Sequence, residues 1–129
     1  MHVEKTLPDK TVKFAARVLK LHLSLMKECN EPVISEQFIQ DTVEIGIHIH
    51  EAQLRRNSGE IAEILTMALD NAAAVEYWIN LLFWAGYIGK VLLQSLTEEC
   101  KEMQQILQNS IVAAKANELT PPVNLGKGS

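Results

Sequence analysis

With 129 residues, 47% of them apolar and 22% charged, the chain has the composition of one globular domain large enough to bury a core. Its formal net charge of −4 argues against a protein devoted to gripping phosphate, which requires a basic surface. The longest uncharged run, 77–89, falls short of the about 20 residues that span a bilayer, and no basic-then-apolar leader opens the chain. No membrane partner and a cytoplasmic location are therefore expected.

An N-terminal segment, 1–8, precedes a first helix that opens at Asp9, a good N-cap after Pro8. Val12, Ala15, Ala16, Leu19, Leu23 and Met26 recur every three or four residues and are expected to face the core. Lys10, Lys13, Arg17, Lys20 and Lys27 occupy the other face. Asn30-Glu31-Pro32 ends this helix, because the residue before proline is pushed out of the α region. A second helix starts near Ser35 and places Phe38, Thr42, Ile45, Ile49 and Ala52 on one face; Asn57-Ser58-Gly59 breaks it, with Ser58 capping the next helix. That third helix carries a long stripe: Ile61, Leu65, Ala68, Ala72, Val75, Ile79 and Leu82. It ends around 86–89, and a fourth helix from about Lys90 presents Leu93, Leu96, Cys100, Met103, Leu107, Ile111 and Ala114.

No run alternates as a strand would. Four helices with short connections predict an all-α fold, an antiparallel up-down-up-down four-helix bundle over 9–117. A flexible tail over 118–129, with Pro121-Pro122, completes the domain plan. Cys29 and Cys100 lie in apolar helical surroundings without a CxxC partner and read as reduced thiols.

The most informative segment is Ile45-Gly46-Ile47-His48-Ile49-His50-Glu51-Ala52, followed by Ser58. It resembles the I-G-x-N-I-x-E-A stretch near the end of the second helix in the family of 23S rRNA intervening-sequence proteins. Tyr77-Trp78-Ile79 with Leu82 is similar to that family's aromatic-tryptophan-aliphatic run, and Phe14-Ala15 to its early Phe-Ala pair. The resemblance covers roughly 9–116. His48 stands where the family has asparagine, Glu44 where it has serine, and Asn71 and Ala74 where acids usually precede the Tyr-Trp motif. If those family acids pair with the second helix, the network has been rebuilt here. The resemblance implies a homo-oligomer, with a pentamer favoured, and no established enzymatic activity. It also implies kinship with accessory proteins of diversity-generating retroelements, which bind nucleic acid and a reverse transcriptase.

Asp41, Glu44, His48, Glu51 and Arg55 share one helix face and form a polar seam. It is expected to meet cations of the first helix, within the chain or across subunits, with Arg55 closing an i,i+4 ladder from Glu51. Gly46 and Ala52 read as close-packing positions for a neighbouring helix. In Leu81–Ile88 the helix end is apolar all round and either plugs the core or forms a contact patch. Trp78, Phe83, Trp84 and Tyr87 are the oligomer-contact candidates.

Metal and catalytic readings fare worse. No Glu-x-x-His occurs, His48 and His50 point about 200° apart on a helix, and neither a Gly-x-Ser-x-Gly elbow nor a phosphate loop is present. No catalytic residue, metal or cofactor is expected. The reading is a non-enzymatic, self-associating interaction or scaffold protein, with RNA or a protein as further partner. The alternative is an RNA- or DNA-binding accessory using Lys10, Lys13, Arg17, Lys20, Arg55 and Arg56.

Overall fold

The computed structural model describes residues 4–30 and 32–119, and builds them into four helices: α1 (Leu7–Glu28), α2 (Val33–Gln53), α3 (Ser58–Trp84) and α4 (Lys90–Leu119). Residues 1–3 and 120–129 lie outside the described residues; of the tail expected over 118–129, the first two positions instead belong to α4. Among the described residues there is no strand.

Each boundary has a local cause. α1 starts two residues ahead of Asp9, with Thr6 as N-cap. The Glu4 carboxylate accepts from the Thr6 hydroxyl and, at 2.8 Å, from the Thr6 backbone N–H. The hydroxyl bond, ahead of the backbone ones, holds the Glu4 carboxyl below its usual range. Pro8 sits in the first turn, where its missing N–H costs nothing, and Asp9 pairs with Lys13 at 3.1 Å. Asn30 closes α1 with φ +52°, a left-handed conformation that asparagine tolerates. α2 begins at Val33 after Pro32. Ser35 is therefore not its cap; it is buried, and its hydroxyl meets His22 Nδ1 at 2.7 Å. At α3 the cap is Asn57, whose Oδ1 accepts from the Glu60 N–H at 2.9 Å, and Ser58 is the first helical residue.

The end of α3 is a Schellman motif. The Tyr87 N–H reaches Leu82 O and the Gly86 N–H reaches Phe83 O, both at 2.9 Å. Gly86 has φ +89°, which a side chain would strain.

Contacts fix the directions. His22, late in α1, meets Ser35 early in α2, and Thr11 lies against Gly46. Asp41 reaches Trp78 while Glu44 reaches Asn71, so α2 and α3 are opposed. Lys10 pairs with Glu102 and Arg17 meets Ser95, so α1 and α4 are opposed. The order is up-down-up-down. α3 packs extensively on α2 and α4, and α2 on α1, whereas α1 and α4 meet only sparsely.

The expected core stripes of α2 and α3 are buried throughout, as is that of α4 apart from the half-buried Leu93. The first helix is different. Its core side is Leu7, Thr11, Phe14, Val18 and Leu25. The expected stripe turns outward instead: Val12 is 67% exposed, Leu19 47%, Leu23 58% and Met26 39%, with Ala16 exposed and Ala15 half-buried. α1 carries two apolar stripes. The one holding the bulky Phe14 faces the core, and its single polar member, Thr11, satisfies its hydroxyl on Pro8 O at 2.8 Å.

Candidate interaction site

The polar edge of α2 is drawn against α3. Trp78 Nε1 donates to Asp41 Oδ2 at 2.7 Å, and Asn71 Nδ2 donates to Asp41 Oδ1 at 3.2 Å and Glu44 Oε1 at 3.3 Å. Among the described residues the Asp41 carboxylate thus takes its partners from an indole and an amide, with no cation paired to it. The cations expected from α1 go elsewhere: Lys10 pairs with Glu102 at 3.0 Å and Arg17 with Glu99 at 2.8 Å, both on α4. The ladder from Glu51 to Arg55 does not form either. Glu51 meets His48 Nδ1 at 3.2 Å, and Arg55 lies 3.8 Å from Glu60.

A second polar tie joins α3 to α4. Glu76 accepts from Gln104 Nε2 at 2.9 Å and pairs with Lys101 at 3.0 Å. The Gln104 bond first, and Lys101 after it, hold the Glu76 carboxyl below its usual range against the opposing effect of partial burial. Next to it, Cys100 Sγ donates to Ala72 O at 3.3 Å, and burial pushes its thiol up to about 11. Asn71 stood out in the sequence as a departure from the family pattern, but Gln104 and the His22–Ser35 pair carried no signal. Such partners lie one helix away and no short motif links them.

His48 and His50 are parted as helix geometry requires. His48 meets Glu51 on the α3 side, while His50 lines a groove between α1 and α2. No three His, Cys, Asp or Glu side chains among the described residues gather as a metal-binding group.

That groove is an open, largely apolar feature of the surface; a second, between α1 and α4, is lined by Lys10, Lys13, Arg17, Glu99 and Glu102. The α1–α2 groove has a volume of about 390 Å³, a floor of Thr11, Ala15, Thr42 and Gly46, and walls that include Val12, Val43 and Ile47. The outward stripe of α1 continues it along Leu19, Leu23 and Met26. Gly46 was expected to let a neighbouring helix approach closely, within the bundle or across subunits. A Cβ there would meet nothing nearer than Thr11 Oγ1, at an ordinary 3.7 Å, so α1 does not require this glycine. Its effect is to lower the groove floor. Ala52, by contrast, is buried in the core.

The aromatic candidates separate. Trp78 is half-buried and bonded within the chain, Phe83 packs beside the core, and Ile88 folds back under it. Trp84 remains 80% exposed, edge-on to Phe83, with Tyr87 on the surface nearby. The helix end thus both plugs the core and leaves an aromatic patch. Of the basic candidates, Lys10 and Arg17 are held by acids, Lys13 is paired with Asp9, and Lys20 has no ion-pair partner among the described residues.

Fold and site together define the class: an all-α four-helix bundle whose polar residues tie helix to helix and whose outward apolar residues include a row along α1 beside its groove with α2. Over residues 6–109 the sequence matches the 23S rRNA-intervening sequence protein family, and the chain belongs to that family. It is similar to a crystal structure of a protein with unknown function from the S23 ribosomal protein family of Bacteroides thetaiotaomicron VPI-5482. The two are 30% identical over 84% of this chain and 96% of that one, with a TM-score of 0.81. No curated protein matches the sequence. No helix among the described residues is long and apolar enough to cross a membrane.

Proposed function

We propose that this chain is a non-enzymatic bacterial, cytoplasmic protein that self-associates and serves as an interaction or scaffold protein. One observation carries the reading. Val12, Ala16, Leu19, Leu23 and Met26 repeat at alternating spacings of four and three along the exposed side of α1, which is the spacing of a helix-docking seam. The groove beside it has a glycine floor that the bundle itself does not use. A solvated helix face has no need of that repeat, whereas a helix laid in a groove buries it. The family resemblance favours a closed ring of copies, with a pentamer as its size, and kinship with retroelement accessory proteins belongs to the same reading.

The nucleic-acid alternative has less support. Four of its six residues already lie against acids, Lys10 on Glu102, Lys13 on Asp9, Arg17 on Glu99 and Arg55 on Glu60, and the groove between α1 and α2 is largely apolar.

Sedimentation velocity on the whole protein tests the proposal. The wild-type chain is expected to run as an oligomer at micromolar concentration. Leu19→Asp/Leu23→Asp is expected to run as a monomer of unchanged helicity, since both side chains are already solvated. A wild-type chain that stays monomeric at tens of micromolar overturns the reading.

A further inference from the structure

The seam on α1 has a basic margin. Lys13, Lys20 and Lys27 follow one another at seven-residue intervals beside Val12, Leu19 and Met26. Seven residues advance a helix by about 10.5 Å with little rotation, so the three ammonium groups form a row. A matching surface needs an apolar strip with acids at the same interval. α2 offers no outward acidic row, because Asp41 and Glu44 are turned to Trp78 and Asn71 and Glu51 is engaged by His48, which leaves Glu36 alone. An antiparallel contact of α1 with its own copy would set lysine row against lysine row.

The outward side of α3 fits. Glu63 and Asp70 are exposed, seven residues apart, and make no ion pair among the described residues. The same heptad interval continues into Tyr77, 62% exposed, and Trp84, with Met67, Ala74 and Leu81 beside them. This is an acidic and apolar strip in the period of the basic and apolar one. Large aromatics at its C-terminal half are the side chains that anchor interfaces.

Resting on the self-association just proposed, we infer that the α1 seam of one copy docks on the outward α3 strip of the next, with Lys20 set against Asp70. Whichever way the two helices run, the shared interval keeps that pair together when Lys13 or Lys27 meets Glu63. The contact is heterologous: each copy offers a basic seam on α1 and an acidic strip on α3, and successive copies repeat the same joint.

Charge exchange in the full chain tests this, read as the association constant from sedimentation equilibrium. Lys20→Glu is expected to weaken association by about three- to tenfold, and Asp70→Lys similarly, since each replaces an attraction at an interface rim by a repulsion. The double variant Lys20→Glu/Asp70→Lys is expected to recover most of the loss. Tyr77→Ala/Trp84→Ala is expected to weaken association tenfold or more, with helicity and melting temperature as checks that the exposed positions leave the bundle intact. If Leu19→Asp/Leu23→Asp abolishes association but the α3 variants leave it at the wild-type value, the α3 assignment is overturned and self-association stands. Weakening by both single charge variants with no recovery in the double overturns the Lys20–Asp70 pairing. A monomeric wild-type chain overturns both proposals.

Discussion

Replacing Asp41 by alanine removes the acceptor of the 2.7 Å bond from Trp78 Nε1 and of the longer bond from Asn71. A hydrogen bond to a charged acceptor contributes about 1.5–3 kcal/mol net. Trp78 is only half-buried, so water recovers part of that, and Asn71 keeps Glu44 as a partner at 3.3 Å. The lower part of the range applies: Asp41→Ala costs about 1.5–2 kcal/mol, or about 5–8 °C in Tm for a domain of this size. Trp78→Phe keeps the ring packing and drops the donor, so a double-mutant cycle isolates the bond, with an expected coupling of about 1–1.5 kcal/mol. Urea unfolding followed by far-ultraviolet circular dichroism measures it. The cycle belongs on the Leu19→Asp/Leu23→Asp background, so that mass action does not enter the stabilities. A coupling below about 0.3 kcal/mol would show that α2 and α3 are held without this bond, and the description of the seam as their tie would be wrong.

Gly46→Ala is expected to stabilise the monomer by about 0.5–1 kcal/mol, because helix propensity improves and the added Cβ has room. Gly46→Phe is expected to leave a folded monomer but weaken self-association about tenfold or more by filling the groove floor. If Gly46→Phe folds and associates at wild-type strength, partners do not enter the groove. The cysteines divide by environment. Cys29 is exposed, whereas burial holds the Cys100 thiol up at about 11. In the native protein at pH 8, Ellman's reagent is expected to modify Cys29 about 100-fold or more faster than Cys100, which reacts freely only on unfolding. Comparable rates would contradict the packing around Cys100.

Where a helix has a single apolar stripe, the sequence led straight to the core. Ile61 through Leu82 on α3 and Phe38 through Ala52 on α2 are buried at the expected spacing. On α1 two stripes compete, and periodicity alone cannot say which one meets the bundle. Val12 to Met26 is the more regular, while Thr11 hides the other by placing a hydroxyl at a core position. The presence of both stripes was the overlooked signal: a helix apolar on two sides has two neighbours to satisfy. The seam was visible as acids at helical spacing, but its partners were not. Nothing near Asp41 in the chain announces that an indole thirty-seven residues later will donate to it. The starts of α1 and α2 were missed for a similar reason, whereas α4 begins at Lys90 as expected. Asp9 and Ser35 look like caps, yet Glu4 satisfies the first turn of α1 and His22 engages Ser35.

The sparse meeting of α1 with α4 has a consequence for how occupancy is felt inside the molecule. α1 rests on α2 along one flank; on the other, few contacts reach α4, among them the ion pairs to Glu99 and Glu102, which weaken as salt rises. The outward apolar stripe therefore lies on the helix with the least intramolecular support. On the self-association proposed above, whatever settles on that stripe also supports α1, and binding and the ordering of α1 become one linked equilibrium. Part of the association energy would then go into tightening the subunit itself. Ionic strength would act on the proposed joint between copies and on the helix that presents it, in the same direction.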